Sequence, residues 1–110
     1  MIQPVIENDK WLKKYYKEVV PEITKSFSPC RIILFGSRAK GSAKEESDID
    51  VILISDHFNG IKFVKRMSLV LKKTGFPKHV DYLCYTPEEV TRVKETSFIL
   101  QEALEEGIEL

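Results

Sequence analysis

The spacing of apolar and polar residues predicts alternating short helices and strands. Asn8 or Asp9 can cap a first helix, and Pro21 breaks or kinks it before a further turn or two that run to Phe27. The apolar positions of this helix recur at helical spacing, and they are Leu12, Tyr15, Tyr16, Val19 and Val20. The nearly continuous apolar run over residues 30–35 then predicts a largely buried strand.

A second strand is predicted over residues 48–54, after a polar stretch over residues 38–47 that can begin with a helical turn. Strand side chains alternate between faces. One face carries Ile49, Val51 and Leu53, and the other carries Asp48, Asp50, Ile52 and Ile54. An amphipathic helix follows over residues 59–74, and Gly75 suits its C-terminal cap.

The last third of the chain predicts a third strand and a final helix. The strand spans residues 78–84. The helix start is indicated by Thr86 as the cap, Pro87 at the first helical position and Glu89 three residues after the cap. The helix stops at Gly107, and residues 108–110 can form a short terminal strand. The order α-β-α-β-α predicts an α/β fold, a mixed β-sheet covered by helices, in a single small domain over residues 1–110.

Composition restricts the classes of function. Hydrophobic residues make up 43% of the 110 residues, as in an ordinary globular protein, and 17 basic residues balance 17 acidic ones. This neutral balance argues against broad binding to nucleic acid, because that needs a basic surface. The chain has no apolar run long enough to span a membrane and no apolar signal core, so we expect a cytoplasmic protein.

Cys30 and Cys84 are expected to be buried free thiols, with a disulfide as the weaker alternative.

The first candidate for chemistry is the pair Gly36 and Ser37, directly after the first strand. A glycine lets the backbone approach a ligand closely, and a helical turn after it points free N–H groups outward. The Ser37 hydroxyl adds a donor, so together the two residues can hold a phosphate. Taken alone, the pair is more often a tight turn.

The second candidate is the pair Asp48 and Asp50 at the start of the second strand. Their side chains project from the same face. Two carboxylates this close repel each other unless a cation lies between them, and a hard cation such as Mg²⁺ suits them. The alternative is a solvated strand entrance, but the apolar run over residues 51–54 makes this entrance part of a buried strand.

The third candidate is Asp81, inside the third strand. A charge there is costly unless it is paired or bound to a metal, and Asp81 could join the other two aspartates if the strands are neighbours. The alternative is a structural ion pair with Lys78 or Arg31. His79 lies on the same strand face as Asp81 and could touch the site, although an exposed histidine at the strand end is the more common case.

These residues resemble a known family. The segments 35–42, with Gly-Ser-Arg-Ala-Lys-Gly, and 47–51, with Ser-Asp-Ile-Asp, resemble the signature of the polymerase-beta-type nucleotidyltransferase superfamily. The short spacing and the small size resemble its minimal branch, the MNT proteins. The resemblance runs from the first strand through Asp81.

The resemblance implies a role for each candidate residue. Gly36 and Ser37 would hold triphosphate oxygens, and Asp48 and Asp50 would bind two Mg²⁺ ions. Asp81 would complete one metal site and help to remove the proton from an attacking hydroxyl. The three aspartates would thus be both the catalytic residues and the metal ligands, with ATP as the expected donor of a nucleoside monophosphate.

Arg38 and Lys40 match common positions of the same motif. Arg38 is therefore predicted to be a third nucleotide-binding residue, and either side chain could add positive charge near the phosphates. A solvated surface position is the alternative for both.

The resemblance also implies a partner. MNT proteins of this type resemble antitoxins that work with a HEPN-type toxin, and the transferase then adenylylates a tyrosine of the toxin. The alternative is an antitoxin that binds nucleotide without catalysis and neutralises its partner by occlusion. The sequence leaves open the donor base, the acceptor and the oligomeric state.

Overall fold

The protein forms a mixed four-stranded sheet with helices on both faces. The computed structural model describes residues 3–110. The strands are β1 Cys30–Phe35, β2 Ile49–Ser55, β3 Val80–Tyr85 and β4 Ile108–Glu109. Their order across the sheet is β3-β2-β1-β4, with β2 parallel to β3 and β1 antiparallel to both of its neighbours. The predicted α/β class, a mixed sheet covered by helices, is confirmed.

The helices complete the order of elements along the chain. They are α1 Pro4–Glu7, α2 Lys10–Glu18, α3 Val20–Phe27, α4 Gly36–Ala39, α5 Phe63–Thr74, α6 Pro87–Val93 and α7 Phe98–Glu106, with a 3-10 helix at Asp56–Phe58. Among the described residues, none of these helices combines the length and the apolar character needed to cross a bilayer.

Two separate cores cover the two faces of the sheet. The first lies between the sheet and α1, α2, α3 and α5, and it contains Ile49, Val51 and Leu53 from β2. The second lies under α6 and α7 and contains Ile52 and Ile54 from the same strand. The alternation predicted for β2 is therefore confirmed, and it assigns the odd-numbered and even-numbered residues to different cores.

The N-terminal helical region differs from its prediction in two respects, the position of the break and an additional short helix. Asp9 caps α2 as expected, because its carboxylate accepts hydrogen bonds from the N–H groups of Trp11 and Leu12. Pro21 lies in the first turn of α3, where a proline costs no hydrogen bond, so the helix restarts after Val19. The short α1 is an addition to the predicted elements, since Pro4 starts a helix that ends within one turn.

Two later helices are shorter than predicted. The helix expected over residues 59–74 begins only at Phe63, because Gly60 has a φ of +82° and the chain forms a 3-10 turn first. The helix expected from Thr86 to Gly107 is two helices, and Ser97 caps the second by accepting from the N–H of Leu100. The cap at Gly75, with a φ of +55°, is confirmed.

Both cysteines are free thiols, as expected. Cys84 is buried and Cys30 is half-buried. Burial raises the pKa of Cys84 to about 12 and also raises the pKa of Cys30. Both sulfur atoms are therefore expected to be unreactive at neutral pH.

Candidate functional site

The pairing of β2 with β3 places two of the predicted aspartates side by side. Asp50 is opposite Asp81 across the parallel pair, and Phe35 at the end of β1 is opposite Asp50 on its other side. Asp48 lies immediately before β2. Because Asp50 and Asp81 are register partners, their side chains leave the sheet on the same face.

A compact group of ligand atoms lies at this edge of the sheet. One ligand atom each from Asp48, His79 and Asp81 lies within 4.8 Å of the others. The His79 Nε2 and Asp81 Oδ1 atoms are 2.8 Å apart, and both side chains remain about half exposed, at 53% and 50%. Asp50 is not a member of this group, but it is the register partner of Asp81, so the structure brings all three predicted aspartates close together.

The negative charges of these carboxylates are not neutralised by neighbouring lysine or arginine side chains in the part of the chain that the structure describes. Burial raises the pKa of Asp50, the charges of Asp81 and Asp48 raise it further, and His79 lowers it. The two basic residues that could have paired with Asp81 are engaged elsewhere. Arg31 binds Glu109 at 2.8 Å, and Lys78 donates to the carbonyl oxygen of Glu45 at 3.0 Å.

The donor set fits a divalent cation. Two carboxylates, those of Asp48 and Asp81, converge with the His79 imidazole, and Asp50 is the register partner of Asp81. No lysine or arginine is bound to any of these side chains among residues 3–110. Closely placed carboxylates of this kind are stable together when a cation shares them. The residues present therefore fit a metal ion at Asp48 and Asp81, two of the three predicted ligands, and Asp50 lies beside Asp81.

Gly36 fixes the position of the turn next to Asp50. Its φ is +79°, which disfavours any side chain, and a Cβ atom at this position would overlap the Asp50 carboxylate. Ser37 follows directly in α4 and is half-buried. The predicted phosphate-holding pair thus lies against one of the predicted metal ligands.

Arg38 has a different placement from the one predicted. The residue is only 3% exposed, and its Nη1 donates to Asp9 Oδ2 at 2.7 Å. The Nε and Nη2 groups donate to three backbone carbonyl oxygens, those of Lys44, Glu45 and Ser47. These bonds occupy the guanidinium and argue against a phosphate contact. Arg38 instead holds the loop that leads into Asp48.

Two further residues that the sequence singled out, Lys40 and His79, are both exposed. Lys40 forms an ion pair with Glu102 of α7 at 2.7 Å, and its 55% exposed side chain agrees with the solvated alternative. His79 is exposed at the strand end, as the more common case predicts, yet it also contacts Asp81. Its spacing of two residues from Asp81 on one strand face is the sequence signal that favours this contact.

An open groove of about 520 Å³ extends from Asp50 and Asp81. Apolar side chains form much of its lining, among them Phe63, Val64, Met67 and Ile99. Val64 is 82% exposed and Ile99 is 56% exposed, which is unusual for large apolar residues. A larger groove of about 760 Å³ lies beside the loop held by Arg38, but it contains none of the three aspartates.

Comparison with protein-family models and with solved structures identifies nucleotidyltransferases in both cases. A model of the nucleotidyltransferase domain matches residues 13–109, which include every site residue described above. A solved structure of a candidate nucleotidyltransferase from Sulfolobus solfataricus is 26% identical, with a TM-score of 0.63 over 99% of this chain and 87% of its own. Another candidate nucleotidyltransferase is also 26% identical, with a TM-score of 0.53 over 74% of this chain and 89% of its own. No curated protein matches the chain.

Proposed function

The chain belongs to the nucleotidyltransferase domain family, and we propose that it transfers AMP from ATP to a hydroxyl of a protein acceptor. The observation that carries this proposal is the convergence of Asp48, Asp50 and Asp81 at one sheet edge, with the Gly36 turn packed against Asp50. This arrangement joins a place for triphosphate oxygens to a place for metal ions. Phosphoryl chemistry of this type depends on positioning and charge neutralisation, which such an edge supplies.

Each residue has a separate task in the proposed reaction. Gly36 and Ser37 hold the triphosphate through a backbone N–H group and a hydroxyl. Divalent ions, with Mg²⁺ as the expected metal, would be held by the three aspartates and would neutralise charge on the attacking and leaving oxygens. The acceptor hydroxyl oxygen bonds to the α-phosphorus, the bond to the bridging oxygen breaks, and pyrophosphate leaves. The hydroxyl proton passes to Asp81.

The apolar groove supports a protein as the acceptor. It begins at Asp50 and Asp81 and exposes Val64 and Ile99, so a docked polypeptide would present a hydroxyl directly to the aspartates. The formal net charge of zero offers little attraction to a nucleic acid. We propose a HEPN-type toxin as this acceptor, with a tyrosine hydroxyl as the modified group and an antitoxin role for the chain.

Labelled transfer tests the proposal. The purified protein is mixed with Mg²⁺, ATP labelled at the α-phosphate, and a separately purified HEPN-type candidate partner. We expect label on the partner and an adenylyl mass increment on one of its tyrosines. Asp48→Asn should abolish the label, whereas Asp56→Asn, an exposed aspartate in the 3-10 helix, should leave it unchanged.

The same experiment separates the alternatives. A tight complex that inhibits the partner without any label would support the occluding antitoxin instead. Labelling of RNA or of a small molecule, with the partner untouched, would reject both roles. Equal labelling by the wild-type protein and Asp48→Asn would contradict the proposed metal role.

A further inference from the structure

His79 is built into the aspartate cluster by the backbone as well as by its side chain. The N–H of Ile49, the residue after Asp48, donates to the carbonyl oxygen of His79 at 3.3 Å. This bond places the start of β3 directly beside the segment that carries Asp48. His79 is the residue before β3, and the contact between its side chain and that of Asp81 means that both project to the same side.

The separation of the ligand atoms suits a shared metal ion. The His79 Nε2 and Asp81 Oδ1 atoms are 2.8 Å apart. Adjacent ligands of an octahedral ion with bonds of about 2.1 Å are separated by roughly 3.0 Å, and opposite ligands by roughly 4.2 Å. Since all three ligand atoms lie within 4.8 Å of one another, movements of about half an ångström would close the group around one ion.

From this geometry, and resting on the function proposed above, we propose that His79 is a nitrogen ligand of the metal site formed by Asp48 and Asp81. Mg²⁺ prefers oxygen ligands and keeps several waters, whereas imidazole nitrogen suits first-row transition-metal ions. His79 therefore raises the affinity of this site for transition-metal ions relative to Mg²⁺. It is a residue that determines metal specificity, in addition to the three aspartates.

Pulsed electron paramagnetic resonance with Mn²⁺ alone, in the absence of nucleotide, tests nitrogen ligation directly. A bound ¹⁴N atom modulates the electron spin echo of Mn²⁺, and labelling with ¹⁵N-histidine changes the modulation frequency. The chain has two histidines. The other one, His57, forms a hydrogen bond with the Ser28 carbonyl oxygen and is not part of the aspartate cluster. We expect the labelled signal to persist in His57→Ala and to vanish in His79→Ala.

Calorimetric titration gives a second, independent readout. His79→Ala should weaken Mn²⁺ binding by about tenfold or more, at least the loss that follows removal of a side chain that supports a metal ligand. The same variant should change Mg²⁺ binding by less than about twofold. His57→Ala should change neither. Absence of nitrogen modulation in the wild-type protein would overturn the inference without relying on any variant, as would equal losses of Mn²⁺ and Mg²⁺ affinity in His79→Ala.

The outcome can be separated from that of the proposed function. A nitrogen signal that depends on His79, in a protein that transfers no nucleotide, would leave the metal site standing and refute the transferase. Transfer that depends on Asp48, without nitrogen modulation, would support the transferase and refute the role of His79.

Discussion

Gly36 lies against the carboxylate of Asp50 so closely that a Cβ atom at residue 36 would overlap Asp50 Oδ2. The contact connects the turn after β1 to the middle of the site, because Asp50 is also the register partner of Asp81. The φ of +79° at Gly36 separately disfavours every other residue type. Two independent physical reasons therefore require glycine here.

Gly36→Ala should displace the Asp50 carboxylate and weaken metal binding. The matched control is Gly60→Ala, since Gly60 has a φ of +82° but a Cβ atom there would meet no other atom within 4 Å. Both variants should lose about 1–2 kcal/mol of unfolding free energy from backbone strain. Only Gly36→Ala should lose Mg²⁺ or Mn²⁺ affinity in a calorimetric titration. Equal metal affinity in the two variants would show that the contact with Asp50 has no functional consequence.

Ser37→Ala should weaken binding of the triphosphate by about 1–2 kcal/mol, the scale of one hydrogen bond to a charged group. The control is Ser42→Ala, an exposed serine in the following turn. Equilibrium binding of ATP with Mg²⁺ measures both variants. Unchanged affinity in Ser37→Ala would remove the hydroxyl from the proposed site and leave only the backbone N–H groups.

The strands and the aspartates were predictable from sequence because local pattern determines them. Residues 30–35 form β1 as predicted, and the alternation in β2 directs Asp50 away from Val51 and Leu53. The pairing of Asp50 with Asp81 could only be suggested, since it depends on β2 and β3 being neighbours in the sheet. Local periodicity carries no information on that order.

Arg38 shows why side-chain roles were harder to predict. The motif places it next to Gly36 and Ser37, yet its partners are Asp9, nearly thirty positions earlier in the sequence, and loop carbonyl groups. Asp9 and the loop carbonyl groups come within reach of Arg38 only in the folded protein, where α2 packs beside the loop. A buried arginine needs such partners, whereas a sequence motif can specify only that a positive charge is present.

Arg38→Ala should release the loop that leads to Asp48. The pair of Arg38 with Asp9 is buried, at 4% and 18% side-chain exposure, so the loss should be about 3 kcal/mol of unfolding free energy in urea. Trypsin should also cut after Lys44 faster than in the wild-type protein. The control is Arg31→Ala, whose pair with Glu109 is half exposed and should contribute less than about 1 kcal/mol. Similar losses in both variants would contradict the structural role of Arg38.

The ion pair of Arg66 with Glu89 should make stability depend on pH in the acid range. The hydrogen bond from Arg66 lowers the pKa of Glu89 from 4.5 to about 2, burial opposes this shift, and the N–H of Thr86 adds to it. A carboxylate with a lowered folded pKa stabilises the fold above its unfolded pKa. That stabilisation is lost as the pH falls from about 4.5 toward 2.

Glu89→Gln should therefore lower the unfolding free energy by about 2 kcal/mol at pH 7, because Arg66 remains buried without its charged partner. The difference from the wild-type protein should shrink as the pH falls below 4.5, toward the folded pKa of about 2. Glu88→Gln is the control, since Glu88 lies in the same first turn of α6 but is exposed. Urea unfolding from pH 7 to pH 3 measures all three proteins. A difference between Glu89→Gln and the wild-type protein that stays constant over this range would mean that the Glu89 charge does not stabilise the fold.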